Sequence, residues 1–278
     1  MLSTRDKVSN FWKRALSGGL FVAAVTGAIF SSPYCFYALF LLFIIVGILE
    51  FERMARRLDI HVALPTGLAG GVLLFTAGFL HNQAGERYSD LYLVWLLVTF
   101  LIPITELYRQ RGIGFRNIAF SYYLLLYIAL PFTLLTYFPY RVTGAWEPRI
   151  VFLPFWLVWI NDTFAYLAGV SFGRHKLFPR VSPNKSWEGV VGGGLATLAA
   201  GIWSAPYLHG LTPTDTFIIA GIVVLFAIYG DLIESLFKRG IDIKDSGHFL
   251  PGHGGILDRL DALLFTLPAI FVYLEWKY

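Results

Sequence analysis

The feature that most constrains this chain is a series of long apolar runs that fill it almost from end to end. A run of about 20 mostly apolar residues is the length that crosses the hydrocarbon core of a bilayer as a helix. Nine such candidates can be read, at roughly 15–32, 33–49, 62–80, 90–106, 118–138, 150–171, 189–209, 216–237 and 258–276. Closed barrels need segments of about ten residues with alternating polarity, and unbroken runs of this kind argue against them. Only 14% of the residues are charged and 56% are hydrophobic, whereas a soluble domain carries about 25% charge. The expected fold class is therefore all-α: a polytopic integral membrane protein with about nine transmembrane helices and a polar cavity among the C-terminal ones. Cys35 is the single cysteine, which excludes an intrachain disulfide and a cysteine-based metal site. Its place in an apolar run suggests a packed thiol. The basic N-terminus is read as leading into an uncleaved first helix, since no small-x-small cleavage site follows it.

Lysine and arginine set the orientation. With nine spans, 18 of the 22 basic residues fall on the N-terminal side of the membrane, from Arg5 to Arg259. The opposite side holds Arg87, Arg141, Arg149 and Lys277. The bias places the N-terminus and the polar connections 172–188 and 238–257 in the cytoplasm and the C-terminus outside. It also accounts for the net charge of +4 with no nucleic-acid partner. Residues 1–150 read as scaffold helices and 151–278 as the region that carries the chemistry, because the polar residues inside apolar runs fall almost entirely after 150. The glycines at 67, 70 and 71 and at 189 and 192–194 read as close helix packing; the second group lacks the Lys-Ser/Thr of a phosphate loop.

Charge inside a membrane span is costly and marks function. Asp231, Glu234, Ser235 and Lys238 recur at helical spacing and share one face. The bland alternative is a salt-bridge stripe that only holds helices together. Asp258 and Asp261 are three apart at the start of the last apolar run. Two carboxylates so placed repel unless something positive lies between them; Arg259 points elsewhere on a helix, so a bound cation is the better candidate. Hard oxygen ligands favour magnesium, which combines a few carboxylates with phosphate oxygens. If the two helices pack together, Asp231, Asp258 and Asp261 converge as the anchor of a metal site for phosphoryl or nucleotidyl transfer. The alternative treats Asp258 and Asp261 as acids favoured by the helix N-terminus.

Between these helices, Lys238, Arg239 and Lys244 can hold phosphates. Gly254 and Gly255 allow close backbone approach beside a helix N-terminus. His253 is read as a hydrogen-bond donor to phosphate rather than a base. Upstream, Asn161, Asp162 and Tyr166 lie in an apolar run, with Tyr166 four residues beyond Asp162 on one face. A second polar stretch, Ser182, Asn184, Lys185, Ser186 and Glu188, ends at a helix start; Lys185 can hold a triphosphate. Trp187 there can stack on a base or sit at the membrane interface.

With these residues in place, the chain resembles the phosphatidate cytidylyltransferase family, also called CDP-diacylglycerol synthase. The family's C-terminal pattern runs Ser-x-apolar-Lys-Arg, four residues, Lys-Asp-x-small, two residues, then apolar-Pro-x-His-Gly-Gly-apolar-x-Asp-Arg-apolar-Asp. All of its fixed positions are present between Ser235 and Asp261. The lead-in Gly230–Ser235 and the stretch Ser182–Gly189 are similar too, so the resemblance covers roughly residues 155–270. It implies the reaction CTP + phosphatidate → CDP-diacylglycerol + diphosphate. It also implies magnesium, with K+ or another monovalent cation beside it, and a homodimer in a bacterial-type inner (cytoplasmic) membrane. The implied metal ligands are Asp231, Asp258 and Asp261. Substrate contacts are expected from the second polar stretch, from Asn161, Asp162 and Tyr166, and from Glu234, Ser235, Gly254, Gly255 and Arg259. Two other classes compete. A CTP-dependent polyprenol or phytol kinase would pass on the γ-phosphoryl group instead. An ion-coupled transporter would spread its charges across the bilayer, whereas here they cluster toward one side.

Overall fold

Prolines and hydroxyl side chains start several of the helices. A computed structural model of the chain describes residues 4–109, 113–243, 245–247, 249 and 254–278; the side chains of 4–15 and of residue 86 lie outside that description. After α1 (Thr4–Ser31), Ser32 accepts a hydrogen bond from Cys35 N at 3.1 Å, and Pro33 takes the first position of α2 (Pro33–Arg56). Proline suits that position because the amide it lacks would have no intrahelical partner there. α3 (Leu64–Ala84), α4 (Asp90–Leu107) and a broken span follow. That span comprises α5 (Gly114–Leu124), a π-helical stretch at Leu125–Ala129, α6 (Leu130–Leu135) and α7 (Phe138–Thr143).

The second half begins with α8 (Pro148–Phe172). A short hairpin, β1 (Lys176–Phe178) paired antiparallel with β2 (Ser182–Ser186), then leads into α9 (Trp187–Ser204). Ser186 caps α9 by accepting from Gly189 N at 3.2 Å. α10 (Pro213–Gly240) opens with a reciprocal capping box. Asp215 N donates to Thr212 Oγ1 at 3.2 Å and Thr212 N donates to Asp215 Oδ2 at 2.8 Å, which satisfies two otherwise orphaned amides. α11 (Leu257–Lys277) closes the described chain.

α2 runs through the core. Phe36, Phe40, Ile44 and Ile48 are fully buried, and the Phe40 ring meets Phe132 and Phe155 edge-on at 5.4 and 5.6 Å. Offset and edge-on geometries of this kind are the favoured aromatic contacts. α8 and α9 approach closely through small residues. A Cβ on Gly193 would lie 2.7 Å from the Asn161 carbonyl oxygen, closer than any side chain can come.

The fold is all-α and polytopic, as expected. Seven helices among the described residues are long and apolar enough to cross a membrane: α2, α3, α4, the Gly114–Thr143 span, α8, Pro213–Gly240 and the helix Trp187–Tyr207 that contains α9. The other two expected spans are also helices. The apolar part of α1, Leu16–Ser31, is shorter, and α11 begins on the charged residues Asp258, Arg259 and Asp261. Two expectations are corrected. Cys35 is exposed rather than packed, because it lies in the first turn of α2 beside its cap. Buried polar residues are not confined to the second half: Glu50, Glu52, Glu106 and Asn117 are all buried. Asn117 Nδ2 donates to Glu106 Oε1 at 2.5 Å, and its Oδ1 accepts from His61 N at 2.8 Å. Glu106 and Asn117 pair within the first half, whereas the partners of Glu50 lie on the turn ahead of α11.

Candidate active site

α10 and α11 meet where the sequence places Gly230 immediately before Asp231. A Cβ at Gly230 would lie 2.9 Å from Ala262 Cα, so a hydrogen there lets α11 reach the helix that carries Asp231. The polar face of α10 is formed as its register dictates. Ser235 Oγ donates to Asp231 Oδ1 at 3.1 Å, and Lys238 Nζ donates to Glu234 Oε2 at 3.0 Å. Lys238 Nζ also reaches Asp258 Oδ1 on α11 at 2.6 Å. A lysine from the neighbouring helix thus places positive charge beside Asp258, which a reading confined to α11 could not find.

Asp258 organises the turn ahead of α11. Its Oδ2 accepts from Ser246 N at 2.8 Å, Ser246 Oγ at 3.0 Å and Gly255 N at 2.7 Å. Gly254 has φ +84°, a left-handed conformation that side chains rarely adopt, and this turn brings Gly255 N onto the carboxylate. Asp261 Oδ1 accepts from Ala262 N at 2.7 Å. Glu234 is buried, and its carboxyl group lies beside that of Asp261.

The hairpin between α8 and α9 reaches the same place. Lys185 Nζ lies 2.5 Å from Asp231 Oδ2. Glu188 instead holds the start of the hairpin together: it accepts from Arg174 N at 3.1 Å and from His175 N at 3.2 Å, and meets His175 Nδ1 at 2.7 Å. Ser182 pairs opposite Phe178 at the far end of β2. Asn161 is buried, and its Oδ1 accepts from Thr197 Oγ1 at 3.4 Å.

Two cavities adjoin at this point. The wider, about 520 Å³, lies between α8, α9 and α10; Asn161, Asp162, Tyr166, Asn184, Lys185 and Ser186 line it together with apolar residues such as Val170, Val190 and Ile228. The smaller, about 270 Å³, is lined by polar and charged residues: Asp231, Ser235, Lys238, Arg239, Asp245, Asp258, Arg259 and Asp261. Asp231 lines both. The structure thus brings the α10 and α11 residues into one region with Asn184, Lys185 and Ser186 of the hairpin, but not Ser182 or Glu188. Lys244 and His253 lie outside the described residues.

The donor set suits a hard cation, which prefers carboxylate oxygens. Among the described residues, no three His, Cys, Asp or Glu side chains are grouped as a ready metal cage. The carboxylates are instead interleaved with Lys185 and Lys238. Asp258 Oδ1 accepts only from Lys238 among the described contacts, and a carboxylate oxygen has two lone pairs.

The sequence reading did not assign Asp245, which lines the polar cavity, Ser246, which binds Asp258, or Glu50. Glu50, from the half read as scaffold, accepts from Ile256 N at 3.0 Å and Leu257 N at 3.1 Å at the start of α11. Its only sequence signal is a carboxylate at the end of the apolar run of α2.

The sequence pattern of the cytidylyltransferase family matches residues 12–276. A phosphatidate cytidylyltransferase of Staphylococcus saprophyticus is 35% identical over 206 residues, covering 73% of this chain and 76% of that protein. One from Staphylococcus aureus (strain COL) is 32% identical over 241 residues, covering 84% and 89%. Another, from Staphylococcus haemolyticus, is 35% identical over 197 residues, covering 70% and 74%.

Proposed function

The chain belongs to the cytidylyltransferase family, and on that premise we propose how its geometry serves a phosphatidate cytidylyltransferase. The reaction is CTP + phosphatidate → CDP-diacylglycerol + diphosphate, carried out by a multi-pass membrane protein. The observation that carries the reading is the position of Asp231 on the shared wall of a polar cavity and a wider, partly apolar one. A water-soluble nucleotide and a lipid headgroup need such a junction to bring two phosphates together.

A non-bridging oxygen of the lipid phosphate attacks the α-phosphorus of CTP. The new P–O bond forms as the bond from that phosphorus to the oxygen bridging to the β-phosphate breaks, and diphosphate leaves with the electron pair. The attacking monoester is mostly ionised near neutral pH, its second pKa being about 6. It therefore needs orientation and charge neutralisation more than a base. Lys185, Lys238, Arg239 and Arg259 border the two cavities and supply positive charge for that purpose. Asp231, Asp258 and Asp261 would hold magnesium through hard oxygen donors. When bound, it would neutralise charge on the phosphates. A monovalent cation beside it and a homodimer complete the proposal. The bias of Lys and Arg supports a cytoplasmic N-terminus and site, the side on which CTP is found.

Label placement tests the reaction. With CTP labelled at the α-phosphorus, the label should enter the lipid product, and EDTA should abolish the transfer until magnesium is restored. γ-Label in the lipid would instead indicate a lipid kinase and overturn the reading, and full activity in EDTA would remove the metal from it.

A further inference from the structure

Glu50 lies at the cytoplasmic end of α2 on the proposed orientation, yet its carboxylate is built into the turn that precedes α11. It is only 2% exposed. One oxygen accepts from Ile256 N at 3.0 Å; the other accepts from Leu257 N at 3.1 Å and lies 3.2 Å from Ser246 Oγ. The first amides of a helix have no intrahelical acceptor, and α11 has no side-chain cap of its own at Ile256. Glu50 therefore supplies from another helix what a local cap would ordinarily provide. A carboxylate there is also favoured by the partial positive charge of the helix start.

The turn is shaped to admit this side chain. A Cβ on Gly247 or on Gly255 would run into the Glu50 carboxyl group, which gives these two glycines a packing reason. Ser246 then links Glu50 to the site, because its hydroxyl lies within hydrogen-bond distance of both Glu50 Oε2 and Asp258 Oδ2. Asp258 in turn holds Lys238, which holds Glu234. A continuous polar chain thus runs from α2 through the turn to α10.

We propose that Glu50 is a positioning residue for the transfer reaction: it fixes the Ser246–Asp258 turn, and through it Lys238, without touching substrate. The inference rests on the proposed function for its activity arm only. The test uses the full chain in lipid nanodiscs, comparing wild type with Glu50→Gln, Ser246→Ala and the double variant. Amide hydrogen exchange is read peptide by peptide, together with kcat and KM for CTP and phosphatidate.

Glutamine keeps the shape of Glu50 but offers one acceptor oxygen in place of two. Glu50→Gln should speed exchange selectively at Ile256 and Leu257, leave the α8 and α9 amides protected, and lower kcat at least tenfold with a smaller change in either KM. Ser246→Ala should lower kcat by a similar route, and the double variant should lose less than the product of the two single losses. Uniform loss of protection across all helices would make Glu50 a general fold element and overturn the proposal, as would an unchanged kcat in either single variant. If Glu50→Gln does not fold, Ser246→Ala with unchanged kcat alone overturns it. A wild-type protein that forms no CDP-lipid sinks the proposed function, while the exchange arm still decides whether Glu50 holds the turn.

Discussion

Asp231 and Asp258 are both site carboxylates paired to a lysine, and substitution by asparagine should lower turnover at either, but only Asp258→Asn should also cost much stability. The Asp258–Lys238 pair is buried, with side chains 7% and 14% exposed. Breaking a buried pair leaves an uncompensated charge and costs about 3–5 kcal/mol. Lys238 retains Glu234, so Asp258→Asn should fall near the lower bound, about 3 kcal/mol. The amide nitrogen introduced there would also face one of the donors that now point at the carboxylate. At about 2–4 °C per kcal/mol for a chain of this order of size, the melting midpoint should drop by roughly 6–12 °C. The Asp231–Lys185 pair is 39% and 28% exposed, and pairs of that kind contribute about 0–1 kcal/mol. Asp231→Asn should therefore move the midpoint by less than about 4 °C. Its cost should appear in turnover instead, since removing one preorganised electrostatic group lowers kcat by roughly 100- to 1,000-fold. Intrinsic tryptophan fluorescence during heating and a CDP-lipid assay on the same detergent-solubilised samples separate the two effects. A destabilisation by Asp231→Asn as large as that by Asp258→Asn, or retention of more than a tenth of wild-type turnover by either variant, would refute this reasoning.

Two other outcomes follow from contacts already described. Gly230→Ala places a methyl group against Ala262 Cα and the Asp261 carbonyl; overpacking of that kind costs about 1–3 kcal/mol, and both melting midpoint and turnover should fall, whereas unchanged turnover would show that α10 and α11 need no such closeness. In a Cys35→Ser background, Lys176→Cys on the hairpin should react with an impermeant maleimide only from the cytoplasmic face and Lys277→Cys only from the outer face; the reverse pattern would invert the proposed orientation.

The helices were legible because a bilayer requires one thing of them, about 20 apolar residues, and their starts were marked by local chemistry at Ser32-Pro33, Thr212-Pro213 and Ser186. The α10 face was legible for a similar reason: Asp231, Glu234, Ser235 and Lys238 are related by a register that the backbone enforces. Relations between helices were not legible. Nothing in the sequence around Asp258 says that Lys238 will cross to it, or that Glu188 will turn back to Arg174 and His175 rather than into the cavity. The strands of the hairpin span three and five residues, too few for an alternating pattern to stand out. Glu50 was hidden most completely, because its partners are mainly backbone amides, which leave no trace in side-chain chemistry.

The span of that last contact has a consequence for biogenesis. Glu50 and Leu257 are 207 residues apart. At a synthesis rate of about 5–20 residues per second, the carboxylate is made roughly 10–40 s before the amides that will receive it. For that interval α2 carries an acid whose final partners do not yet exist. On the proposed orientation, its position in the last two turns of the helix would keep it near the headgroup region, where water could serve in their place. α11, translated after α2 and α10, is thus the helix that completes the site, and a ribosome that stops before Leu257 leaves the preceding helices without the element that closes it.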